Sequence, residues 1–164
     1  MAHQPGTLPG VAAKAGKPAA LATLQRFKQR QGPFLLLADS TATALSLARH
    51  LSPTLRKKAR QSWPGPVTLV FPGKPGLASA CYKKSEIAVR VDNHASVLRL
   101  AHACGGLLLS SSLNRRGEAS AAPGFRHHMR HHRYFRGRIA STEESGAASK
   151  VIRVWRNQCS IIRE

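Results

Sequence analysis

The sequence predicts a single α/β (α+β) domain: a twisted, mostly open mixed sheet with flanking helices. Three observations predict it. Helical and strand patterns alternate along the chain, which is the signature of a layered α/β arrangement. The strand candidates are short apolar runs bounded by Gly and Pro. The 164 residues are enough for one domain with its own core and hold no internal repeat.

The elements follow in chain order. Residues 1–17 are rich in Gly, Ala, Pro and Lys and carry little periodicity. Pro18 suits the first turn of a helix in which Leu21, Leu24 and Phe27 recur every third residue, and Gly32-Pro33 stops it. "FLLLA" (34–38) reads as a buried strand. Ser40 is placed to cap a helix through Leu45, Ala48 and Leu51, and Ser52-Pro53 repeats the signal for a helix toward Arg60. Pro64, Pro66 and Pro72 bracket a strand from Val67 to Phe71. "EIAVRV" (86–91) is a strand with Arg90 inside it. Asn93 is placed to cap a helix with Val97, Leu100, Ala101 and Cys104 on one face, ended by Gly105. "GLLLSSS" reads as a buried strand. "KVIRVW" and "CSIIR" read as a strand pair joined near Asn157, and residues 115–148 are low in pattern.

Composition narrows the function. There are 26 Lys+Arg against 7 Asp+Glu, a formal net charge of +19, which favours a polyanionic partner, nucleic acid first. Three cysteines far apart form no CxxC and no zinc pattern. No compact apolar leader opens the chain, and no apolar run approaches the ~20 residues of a membrane span, so a cytoplasmic protein with no membrane partner is expected. The few acidic residues are scattered and suggest no paired-carboxylate chemistry. No Ser-His-Asp or Cys-His set emerges either, so no catalytic side chain and no metal site is assigned.

Several segments carry ligand chemistry instead. Lys28 and Arg30 stand two apart at a helix end, where two cations could serve a phosphate chain or simply offset the helix dipole. Arg90 sits mid-strand, either on a solvated face or guarding a cavity; its planar fork matches a carboxylate or phosphate. "LLLSSSLNRRG" (107–117) ends an apolar run in small hydroxyls, an amide and two cations, more than a turn needs. "FRHHMRHHRYFRGR" (125–138) is a basic segment; its arginines oppose a metal cation. Arg126, Arg130, Arg133, Arg136 and Arg138 are the candidate RNA contacts, with Tyr134 and Phe135 available for stacking.

Four stretches in order resemble the threonylcarbamoyl-AMP synthase family, the YrdC/TsaC-like proteins. "SWPGPVTLVFPGKPGL" is similar to the family's W-P-G-P-V-T-L-V signature. "IAVRVDNHASVLRLAHACGGLLLSSSLNRRGE" is similar to A-V-R-V-P-x-H-P, a helix, then G-x-P-L-x-S-T-S-A-N-L-S-G. "TLPGVAAKAGKPAALATLQRFKQR" is similar to T-L-Y-G-L-A-A, a helix, then K-x-R. "SKVIRVWRNQCSIIRE" resembles the family's last hairpin, S-T-V-x-D, ending in Arg.

The resemblance implies an enzyme, a nucleotidyltransferase that joins L-threonine, bicarbonate (or CO2) and ATP into threonylcarbamoyl-adenylate and pyrophosphate. A tRNA threonylcarbamoyltransferase complex would take the product onward. The implied fold surrounds a wide basic cavity. By the same resemblance Lys28, Arg30, Ser112, Asn114 and Arg163 contact ATP, and Thr7, Arg90 and Ser149 contact threonine or the adenylate. Magnesium would arrive with ATP. The resemblance also implies a single domain over 1–164 whose first family strand and helix have no counterpart, with a divergent basic segment at 119–140. A noncatalytic relative that binds tRNA or double-stranded RNA, and a degenerate paralogue with no defined ligand, are the other two readings.

Overall fold

The computed structural model of the chain describes residues 1–3, 10–113, 134 and 148–164. Within them the chain builds one mixed sheet. Its strands are β1 (Ala2–His3), β2 (Gly10–Lys14), β3 (Leu35–Ala38), β4 (Val67–Pro72), β5 (Tyr82–Lys83), β6 (Glu86–Val91), β7 (Leu107–Ser112), β8 (Lys150–Trp155) and β9 (Gln158–Arg163). The order across the sheet is β1-β2-β7-β3-β6-β4-β8-β9, with β5 paired to β6. The β3–β6 and β4–β8 pairs are parallel and the rest antiparallel. The mixed α/β expectation therefore holds.

The helices are α1 (Pro18–Lys28), α2 (Thr41–Ser46), α3 (Pro53–Ser62) and α4 (Ala95–Ala103). The serine caps act as the sequence predicts: Ser40 Oγ accepts from the Thr43 backbone N–H, and Ser52 Oγ from that of Leu55. Two boundaries differ. Helix α2 ends at Ser46 instead of running through Leu51, because Ala48 leaves the helix to bridge Gly73. His94, not Asn93, is the N-cap of α4; the Asp92 carboxylate two residues earlier accepts from the His94 N–H and turns the chain. Strand β2 lies in the stretch read as patternless. Its small residues form a strand because their neighbours leave no room for larger ones: Val11, Ala12 and Ala13 are all buried.

Alternation along the strands divides the core in two. On one face, Leu36, Leu69, Phe71, Val89 and Leu109 pack against Leu24 and Phe27 of α1, Ala44 of α2 and Leu55 and Ala59 of α3. On the other, Ala12, Leu37 and Leu108 pack against Val97 and Ala101 of α4. Helix α4 covers only part of that second face, and the candidate site occupies the rest of it.

Candidate anion site on the sheet

The register explains why an apolar run ends in serines. Leu108 pairs with Leu37, Ser110 with Leu35 and Ser112 with Gly10, so these residues share the α4 face of the sheet. Leu108 packs under α4, while Ser110 and Ser112 continue the same row beyond the helix. There the face changes from leucine to hydroxyl and borders a cavity of about 290 Å³. Arg90 pairs with Leu37 in the parallel β3–β6 ladder and so faces the same way.

Three arginines from distant parts of the chain, Arg30, Arg90 and Arg163, line this cavity with Ser110, Ser112 and Ser149. No carboxylate is among its lining residues. Arg30 is set by the end of α1. Gln29 takes a left-handed conformation (φ 53°) that breaks the helix one residue after Lys28, so the chain unwinds there before it reaches Gly32-Pro33. The Arg30 guanidinium donates to Ser111 Oγ at 3.2 Å and lies 5.1 Å from the Phe34 ring centroid. Partial burial pushes its pKa down.

Arg90 is 2% exposed and ion-paired to Asp92 at 3.1 Å. Burial lowers its pKa; the Asp92 charge opposes that shift and the nearby Arg163 charge adds to it. Asp92 is thus tied to the site, although the sequence reading set the acidic residues in unrelated places. The signal was available, since residues two apart on a strand share a face. Arg163 is held by Ser149: its guanidinium donates twice to the Ser149 carbonyl, at 3.2 and 2.8 Å, and once to Ser149 Oγ at 3.2 Å. Ser149 Oγ also lies 3.1 Å from Thr68 Oγ1 on β4, in a buried hydrogen bond. Ser149 is thereby the residue that aims Arg163.

Lys28 differs from Arg30. It is 5% exposed and its ammonium donates to the Ser112 carbonyl at 2.9 Å, so it fastens the end of α1 to the end of β7 and is not among the residues lining the cavity. Thr7, Asn114, Arg126, Arg130, Arg133, Arg136 and Arg138 lie outside the described residues. Tyr134, read as free for stacking, is half-buried with its ring 5.7 Å from that of Phe27. Among the described residues no group of three or more His, Cys, Asp or Glu could hold a metal. No described helix is long and apolar enough to cross a membrane.

A family model for Sua5, YciO and YrdC proteins, described as "Telomere recombination", matches residues 4–164. The chain belongs to the Sua5/YciO/YrdC family. Curated relatives include the threonylcarbamoyl-AMP synthases of Thiobacillus denitrificans, 38% identical over 109 residues, and Alkalilimnicola ehrlichii, 37% identical over 114. These alignments cover 63% and 68% of this chain and only 56% and 60% of those proteins. Among solved structures, P. abyssi Sua5 complexed with L-threonine superposes with a TM-score of 0.87 at 23% identity, over 99% of this chain and 49% of that one. E. coli YciO superposes with a TM-score of 0.85 at 18% identity, over 99% and 81%. These two likenesses establish the Sua5/YciO/YrdC fold.

Proposed function

We propose that the chain is a threonylcarbamoyl-AMP synthase, joining L-threonine, bicarbonate or CO2, and ATP into threonylcarbamoyl-adenylate with release of pyrophosphate. The observation that carries this reading is the convergence of Arg30, Arg90 and Arg163 on one serine-lined cavity. The names of the curated relatives point the same way.

The chemistry places most charge on phosphate and carboxylate oxygens, which arginine forks bind bidentately. Arg30, at the open end of α1, is assigned to the phosphate chain, where pyrophosphate leaves. Arg90, on the floor, is assigned to the threonine carboxylate or the α-phosphate. Arg163, aimed by Ser149, is assigned to ATP on the far side. Ser110 and Ser112 donate to phosphate or ribose oxygens without filling the cavity. Lys28 is a positioning residue, acting through Ser112.

The threonine amine attacks CO2 and loses a proton to give the carbamate. A carbamate oxygen then attacks the α-phosphorus and the bond to pyrophosphate breaks. No side-chain nucleophile is required, so the protein contributes orientation and charge stabilisation. The described carboxylates do not form a magnesium site; magnesium belongs with the ATP phosphates. The product would pass to a tRNA threonylcarbamoyltransferase complex for modification of an adenosine in tRNA.

The net charge of +19 also fits a second reading, a noncatalytic relative that binds tRNA or double-stranded RNA. Pyrophosphate release separates the two. A synthase releases it from ATP only when threonine and bicarbonate are both present. A folded chain that binds tRNA and releases none is the noncatalytic relative.

A further inference from the structure

A second hollow, of about 310 Å³, lies at the other end of β8 from the arginine cavity. Its floor is apolar, formed by Leu55, Phe71 and Val154. Its rim carries Arg49, His50 and Arg156, and Trp155 stands at its side. Trp155 also borders a neighbouring hollow with Arg153 and Gln158, so its indole is shared between the two. At 42% exposure it is a large aromatic left in water, unlike Trp63, which is 6% exposed and donates its indole N–H to the Val67 carbonyl. Arg153 holds the ring in place: its guanidinium is 5.7 Å from the ring centroid while its Nε donates to Glu86 at 2.7 Å. Ser52 Oγ donates to the Arg156 carbonyl and ties the β8–β9 turn to the start of α3. Six residues of strand, roughly 20 Å, separate Ser149 from Trp155, so this is not part of the first cavity.

We propose that the Trp155 hollow binds a nucleotide with an unpaired base, the base stacking on the indole and the phosphate meeting Arg49 and Arg156. A fixed exposed aromatic flanked by arginines provides base stacking together with phosphate neutralisation. A peptide-docking face would expose apolar rim residues; here the rim is cationic and no carboxylate lines either hollow. The same chemistry belongs to a free mononucleotide and to an unpaired residue of single-stranded RNA. The site is independent of the synthase reading, and its test does not measure synthesis.

The test titrates the full chain with a fluorescent 12-mer of oligouridylate and, separately, with AMP. The chain has two tryptophans, so the quenching absent from a Trp155→Phe variant reports on Trp155. For the oligonucleotide source, Trp155→Ala weakens 12-mer binding about tenfold, the scale of one base–aromatic stack. Trp155→Phe retains most of it, Arg49→Ala or Arg156→Ala lowers the salt slope by about one unit, and duplex RNA does not compete. For the mononucleotide source, AMP alone quenches Trp155 to saturation and displaces the 12-mer. Threonine-dependent pyrophosphate release by Trp155→Ala stays at the wild-type rate. Wild-type affinity of folded Trp155→Ala for both ligands overturns the proposal.

Discussion

Removing Arg90 tests how the cavity is built. Arg90 and Asp92 are 3% and 1% exposed at their side chains and lie 3.1 Å apart. Arg90→Met keeps the volume of the stem and deletes the charge, leaving the Asp92 carboxylate buried beside an apolar group. Breaking a buried pair by deleting one partner costs about 3–5 kcal/mol, mostly from the stranded charge. For a chain of this size that is a fall in Tm of roughly 6–20 °C. The double variant Arg90→Met/Asp92→Asn removes both charges and keeps an oxygen to accept from the His94 N–H. It should recover at least about half of the lost stability. Urea unfolding of the wild type, both single variants and the double variant gives the coupling directly. Strictly additive single effects, or a loss below about 1 kcal/mol for Arg90→Met, would refute the buried-pair reasoning.

Three further outcomes follow from the same structure. Asp39 accepts from the Thr43 hydroxyl and lies 3.0 Å from His102 Nδ1, and these bonds hold its pKa below the ordinary 3.8. A depressed carboxyl stabilises the fold above its unfolded pKa, so the advantage of wild type over Asp39→Asn is full above about pH 5 and shrinks below 3.8 in a pH series of urea midpoints. Ser52→Ala removes the cap of α3 and should cost about 1 kcal/mol in urea unfolding, with Ser52→Gly losing less. Gly32 has φ 142° and a Cβ there would lie 2.6 Å from the Ala80 carbonyl oxygen, so Gly32→Ala should destabilise by at least ~1 kcal/mol and disturb Arg30; wild-type stability would contradict the contact.

The sequence was most legible where one residue type answers one local need. Ser40 and Ser52 stand before helical patterns and cap them. The alternation in "EIAVRV" already set Arg90 apart from Ile87 and Val89. The leucine-to-serine change in β7 marked the border of the cavity before its neighbours were known. Strand β2 was not legible, because "GVAAK" lacks β-branched character beyond Val11; it is a strand through its pairing with β7, 98 or more positions away. The partnership of Arg163 with Ser149 likewise depends on the β8–β9 register, with a bulge between Val151 and Ile152. Lys28 and Arg30 looked equivalent in sequence. The left-handed Gln29 between them sends one into the packing and the other to the cavity.

The most direct measurement is detection of the product by mass after incubating the full chain with ATP, L-threonine and bicarbonate. The account predicts threonylcarbamoyl-adenylate only when all three are present, and a loss of at least about tenfold in folded Arg30→Ala and Arg163→Ala, the scale of one charge-assisted contact. No product from the folded wild-type chain, or undiminished product from both arginine variants, would contradict it.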